Sequence, residues 1–214
     1  YYFIMHTDRH PEAPGANDNA SCVAAALTAL RDLKDQPLEG ITVRFLFPAL
    51  EEWGMRGARA HVAARKQEPV NGAASFDMCG IGDAYAIWDI RPENAGSMMV
   101  QALRRAGESE GIYVGEHGPV ARFASDHVAF RENGVPAVGV TVVPRADEEI
   151  LREYVESPNA LKWLFRDNRP KIFQSYHTAE DRPETLEKGA LDLTVRVIKA
   201  AIEQLQTLHR AQGS

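Results

Sequence analysis

Histidines and carboxylates stand in this chain where apolar runs stop. His6 and Asp8 follow the run Tyr1 to Met5, Glu51 and Glu52 follow Ile41 to Phe47, and Asp77 ends the run that begins at Ala73. Asp18 lies in a loop of Pro, Gly, Asn and Asp residues, and His177 in the loop before the last helical stretch. Taken singly, each has an ordinary explanation as a solvated or hydrogen-bonded loop residue. Glu51 and Glu52 alone suit a helix start, where the dipole favours negative charge. Gathered at one rim, however, several carboxylates would raise one another's pKa unless cations compensated. Oxygen and imidazole donors without thiolate suit Zn²⁺, Co²⁺ or Mn²⁺.

The elements that must position these residues follow from periodicity. Ile41 to Phe47 is rich in β-branched and aromatic residues and reads as a strand ended by Pro48. Ala84 to Ile90 reads as a strand returning as a hairpin partner of Ala73 to Met78. Val135 to Val143 is almost wholly apolar, as in a strand covered on both faces. Helices are expected after Asn19, with Val23, Leu27 and Leu30 on one face, over 56–66, and around Met99, Leu103 and Ala106, the last ended by Gly107. A short helix is expected over 125–133 and a helical stretch over 147–165 with a break at Pro158. The last helix should start near Pro183 and bury Leu191, Val195, Ile198, Ile202 and Leu205, with 211–214 frayed. Strands alternating with helices argue for an α/β sandwich around a mostly parallel sheet, with function in the loops beyond the strands' carboxyl ends.

The 214 residues suffice for one domain, and no linker or repeat divides them, so 1–214 is expected to be a single catalytic domain. With 24 basic and 30 acidic residues and no basic block, a nucleic-acid partner is not expected. No apolar run reaches the roughly 18 residues of a membrane span. Cys22 and Cys79 are too few for a disulfide scaffold; two buried thiols is the plainer reading, and one bridge between them stays open. His10, His61 and His209 read as surface residues, while His117 is a candidate for the cleft wall.

Six segments in order carry a family resemblance. They are His6-Thr7-Asp8, Gly15-Ala16-Asn17-Asp18-Asn19-Ala20-Ser21, Phe45-Leu46-Phe47-Pro48-Ala49-Leu50-Glu51-Glu52-Trp53-Gly54, Phe76-Asp77-Met78, Ser125-Asp126-His127 and Tyr176-His177-Thr178-Ala179-Glu180-Asp181. This series resembles the co-catalytic zinc exopeptidases, relatives of bacterial leucyl aminopeptidase, aminopeptidase Y and glutamate carboxypeptidase. The resemblance implies a three-layer αβα sandwich with a mixed, mostly parallel sheet, the phosphorylase/hydrolase-like fold lacking its first strands. It implies two Zn²⁺ ions, with Co²⁺ or Mn²⁺ as possible substitutes. Asp18 would bridge them, His6 and Asp77 completing one site and Glu52 and His177 the other. Glu51 would be the general base and Tyr176 would lie near the oxyanion. Asp8 would orient His6, and Asp126 and His127 would lie near the substrate pocket. A cis peptide after Asp18 is also implied.

The activity so implied is hydrolysis of the first peptide bond of a peptide or protein. Alternatives are a carboxypeptidase or glutaminyl-cyclase-like enzyme of the same fold, or a binding domain that has lost turnover. Two departures stand out. The strands and helix that precede the His-x-Asp strand in the family are absent, so a truncated or processed chain with an exposed sheet edge is expected. Cys22 stands where the family usually has Gly. A soluble, exported protein is the family-level expectation; the residues themselves are silent on oligomeric state.

Overall fold

The structure is a computed structural model that describes residues 1–120, 123–156 and 169–212. Its strands are β1 (Tyr2–Ile4), β2 (Arg44–Leu46), β3 (Ala73–Phe76), β4 (Ala84–Trp88), β5 (Val114–Glu116) and β6 (Ala137–Val143). They form one sheet in the order β2-β1-β3-β6-β4-β5, parallel at every step except β4 against β6. The helices are α1 (Ser21–Leu33), α2 (Arg56–Ala64), α3 (Met98–Glu110), α4 (His127–Arg131), α5 (Glu148–Glu156) and α6 (Lys188–Gln212).

Alternation along the strands sends successive side chains to opposite faces. Phe3, Ala74, Phe76, Ile87, Val138 and Val140 join α1, α3 and α6 in the main core. Tyr2, Ile4, Ala73 and Ala137 meet α2 and α4 on the other face, where Ala84, Ala86 and Val143 meet α5. The result is the expected three-layer αβα sandwich with a mixed, mostly parallel sheet. β6 is buried along its whole length because helices cover it on both sides.

Several expectations are corrected. β4 is not a hairpin partner of β3. Both edges of β3 are taken, by β1 and β6, so β4 hydrogen-bonds to the far edge of β6. β5 had no signal in the sequence, being three residues with a central Gly115, and it exists through its pairing with β4. In α1 the buried face is Cys22, Ala25, Ala26 and Ala29, while Leu27 is 54% exposed. Small side chains let α1 lie close to its neighbours, which the larger residues at 23, 27 and 30 would prevent. Gly107 does not end α3, which stops at Gly111 in the left-handed region. Gly107 instead admits β5, since a Cβ there would lie 2.1 Å from Val114 Cγ2. Pro183 opens a short 3₁₀ turn, Pro183–Thr185, and α6 begins at Lys188. Of the expected stripe, Ile198, Ile202 and Leu205 are buried, whereas Leu191 and Val195 lie at its margin. α6 runs to Gln212, so helix replaces the fraying expected at 211 and 212. The expected break at Pro158, and residues 157–165 with it, lie outside the described residues, as do 213 and 214.

Candidate metal centre

β1, β2 and β3 are parallel and in register, Ile4 facing Leu46 on one side and Ser75 on the other. Their chains therefore leave the sheet at one rim and carry His6, Asp8, Glu51, Glu52 and Asp77 to it. The loop after β1 returns Asp18 to that rim in a single wide turn, Ala16–Ala20, with the Asp18–Asn19 peptide cis. His177 reaches it from the segment ahead of α6, in the left-handed region at φ 58°.

Two groups of donors form there, His6 with Asp18 and Asp77, and Asp18 with Glu52 and His177. Within each, the candidate donor atoms lie within 4.8 Å of one another, and Asp18 is common to both. Its Oδ1 is 3.1 Å from His6 Nε2, and its Oδ2 is 3.3 Å from His177 Nε2. His6 Nε2 is 3.7 Å from Asp77 Oδ1, and His177 Nε2 is 3.0 Å from Glu52 Oε2. His6 Nε2 and His177 Nε2 lie this close to carboxylate oxygens without hydrogen-bond angles, and Glu52 Oε1 is buried with no hydrogen-bond partner among the described residues. Buried polar atoms are seldom left so. Two nitrogen and oxygen donor sets with converging orphan atoms fit divalent ions of the zinc type, whose bonds to such donors are about 2.0–2.2 Å.

The shell around these groups is built to hold them. Asp8 Oδ1 accepts the Glu51 backbone N–H at 3.0 Å and Oδ2 accepts that of Glu52 at 3.2 Å. The same carboxylate lies 3.4 Å from His6 Nδ1, which is 3.1 Å from the Asp8 carbonyl oxygen. Asp8 thus fixes two loops at once. Asp181 accepts the backbone N–H groups of Asn17 and Asp18 at 2.7 and 3.2 Å. Asn17 Oδ1 accepts from Gly80 N–H, and Asn19 Nδ2 donates to the Phe76 carbonyl, tying the Asp18 turn to the end of β3. Leu50, just before Glu51, and Met78, just after Asp77, also adopt positive φ. Strained backbone of this kind concentrates where side chains must be aimed.

Charge is unbalanced. Burial opposes ionisation of His6, yet Asp18, Asp77 and Asp8 drive its pKa far upward. His177 rises to about 9, burial again outweighed by Asp18 and Glu52. Burial would raise the Asp18 carboxyl, but His177 and His6 hold it down to about 2. Glu51 belongs to neither donor group; burial, then the Asp77 carboxylate, raises it to about 9. Asp126 rises to about 7 for the same reason, burial first, and neither of its oxygens has a partner among the described residues. Among the described residues the cage is short of positive charge, which a bound cation would supply.

Tyr176 stacks on His177, with ring centroids 3.7 Å apart, and borders a cavity together with Asp77. Its hydroxyl pKa is pushed up by burial and then by Asp18. His127 is not at the cage. Its Nε2 is 3.2 Å from Asp89 Oδ2, its ring meets Trp88 edge-on, and burial lowers its pKa to about 3. Asp89, with Arg91 and Arg131 on its carboxylate, escaped the sequence reading because nothing local marks it. His10 is half-buried and stacks on His177 at 4.3 Å. His61 packs against Tyr2, and His209 against Gly40, so none of the three is a plain surface residue. His117 does line the cavity and is buried. Cys22 and Cys79 are free thiols, both buried.

Parallel strands presenting two donor groups that share one carboxylate, at one rim of an αβα sandwich, define a candidate two-metal architecture. Peptidase family M28 matches residues 1–202, and the chain belongs to that family. Leucine aminopeptidase 2 of Trichophyton rubrum is 29% identical over 93% of this chain and 40% of its own length. Aminopeptidase YwaD of Bacillus subtilis is 25% identical over 94% and 40%. The chain thus spans about 40% of the length of the curated relatives it matches. Among solved structures, a zinc aminopeptidase from Bacillus subtilis superposes with TM-score 0.70 at 24% identity, over 94% of this chain and 44% of that one. A glutaminyl cyclase from Porphyromonas gingivalis shares the fold, with TM-score 0.69 at 18% identity over 97% and 72%. Among the described residues no helix is long and apolar enough to cross a membrane.

Proposed function

We propose that residues 1–214 act as one catalytic unit of a zinc-dependent aminopeptidase, hydrolysing the first peptide bond of peptides or proteins. The observation that carries this reading is the pair of donor groups that share Asp18. His6, Asp18 and Asp77 would hold one ion, and Asp18, Glu52 and His177 the other. When bound, the ions supply Lewis acidity toward water and the scissile carbonyl.

The chain's own groups do the rest. Glu51 stands clear of both donor sets, so its carboxylate is free to accept a proton from the attacking water and pass it to the leaving amine. Its raised pKa in the metal-free cage falls when cations enter, which leaves it ionised and ready as a base. The Tyr176 hydroxyl, kept protonated by burial, can donate to the developing oxyanion. Asp8 holds His6 and the backbone of Glu51 and Glu52 in one arrangement, so base and donors keep their spacing. Carboxylates beside the cage offer a place for the substrate's free α-ammonium group, which favours action at the chain end. A histidine in each donor group supports two ions over a single-ion, cyclase-like site.

The test is zinc content together with turnover of leucyl p-nitroanilide. About two zinc per chain with hydrolysis is expected. One zinc with cyclisation of N-terminal glutamine would replace this reading, and a metal-free, inactive protein would refute it.

A further inference from the structure

A cavity begins beside Asp77 and Tyr176 and crosses the sheet toward β5. Phe76 pairs with Val140, so Asp77 stands level with Thr141, which pairs with Ala86. Glu116 pairs with Ile87, so His117 stands level with Trp88 at the far side. Three strand spacings of about 4.8 Å separate β3 from β5, roughly 14 Å in all. Phe123, Leu151 and Phe173 bound this space with apolar surface.

His117 is the anomaly in that wall. It is 1% exposed, and neither ring nitrogen has a hydrogen-bond partner among the described residues. Its Nε2 lies 3.6 Å from Glu148 Oε1, too far for a hydrogen bond but close enough to favour the tautomer with the proton on Nε2. Nδ1 is then a buried lone pair that lacks a donor. The Thr141 hydroxyl accepts from the Trp88 indole N–H at 3.1 Å, which fixes its place in the wall, whereas the His117 imidazole has no hydrogen-bond partner among the described residues.

We infer that His117 recognises a hydroxyl at the tip of the substrate's first side chain, so that an N-terminal tyrosine is preferred over phenylalanine. The inference rests on the aminopeptidase reading above. A tyrosine side chain would lay its ring along the apolar wall and bring a donor O–H to the imidazole. Phenylalanine would fill the same wall and leave the imidazole unpaired. Sites that hydrogen-bond a substrate hydroxyl reject the analogue without it far more strongly than apolar pockets discriminate by size. Burial lowers the His117 pKa, which is consistent with a neutral ring that accepts.

The experiment compares kcat/KM of the zinc-loaded full chain on tyrosyl, phenylalanyl, leucyl and lysyl p-nitroanilides. Tyrosyl should exceed phenylalanyl by about tenfold or more, and His117→Phe should bring that ratio to about one. Because the variant could misfold, L-tyrosine and L-phenylalanine binding to the unmodified protein is also measured by calorimetry, with tyrosine expected to bind about tenfold tighter. Turnover of leucyl and phenylalanyl substrates with tyrosyl equal or poorer, or a preference for lysyl, overturns the role of His117 and leaves the aminopeptidase reading standing. No hydrolysis of any of the four overturns both.

Discussion

Asp18 and Asp89 are both buried aspartates with an imidazole Nε2 within 3.3 Å, yet their surroundings balance charge in opposite ways. Asp89 receives Arg91 Nε at 2.7 Å, the Arg131 guanidinium and His127. Two permanent cations meet one anion, and its own backbone carbonyl accepts from Asn94 Nδ2. Among the described residues Asp18 is paired only with His6 and His177, and around it stand Asp8, Glu51, Glu52, Asp77 and Asp126. None of these carboxylates is paired with Lys or Arg among the described residues. Guanidiniums complete a structural cluster within the chain. Imidazoles, which can lose their protons, leave a cluster that exchanges protons for metal. The lesson is that the residues absent from a polar cluster separate a site from a support more clearly than those present.

The contrast can be broken by substitution. Glu51→Gln should lower kcat by about 10²–10⁴-fold while zinc per chain stays unchanged, measured by steady-state kinetics and elemental analysis. Near-normal turnover would remove Glu51 from the role of base. Asp18→Asn should weaken metal binding by more than the 10–100-fold typical of an outer-shell change, because it serves both donor groups. Asp89→Asn should do the reverse, costing about 3 kcal/mol of stability in denaturant titration with zinc content intact, since it strands two guanidiniums. If Asp89→Asn empties the metal sites instead, the two clusters are not separate. Asp8→Asn should cost about 10–100-fold in metal affinity and shift the two backbone contacts of Glu51 and Glu52 together.

The smallest effect is a slope with pH. In the metal-free protein Glu51 at about 9, Asp126 at about 7 and His177 at about 9 all sit above their ordinary values. Each binds its proton more tightly folded than unfolded, so each contributes stability that is lost as pH rises through its folded value. Metal-free protein should therefore melt progressively lower between about pH 5 and 9, while zinc-loaded protein, its cage compensated, should not. Equal slopes for the two forms would remove the charge argument for the site.

Much of the site was legible because its residues sit in short segments with firm local signals. His6, Glu51, Glu52 and Asp77 each follow an apolar run, and parallel strands in register deliver their ends to one rim. What was illegible depended on neighbours distant in the chain. Nothing near Ala84 to Trp88 says that both edges of β3 are already occupied. The alanine face of α1 is chosen by close packing, which a hydrophobicity pattern favouring Leu27 cannot express. Asp89 and His127 are far apart in sequence and become partners only when β4 and α4 meet. Gly107 and Gly111 look alike in the sequence, and only the approach of β5 shows that the first is for packing and the second for stopping.

By itself the sequence determined the order of the helices and of every strand but β5, the donors available for a cation and the segments that carry them. Periodicity and residue chemistry are local properties, so they survive without the fold. The tertiary structure alone decided that β4 pairs with β6, that His127 turns away to Asp89, and that His117 closes the far end of the cavity. Those outcomes depend on which side chains share a volume and whether their charges and hydrogen bonds close there, and no stretch of chain contains that information alone.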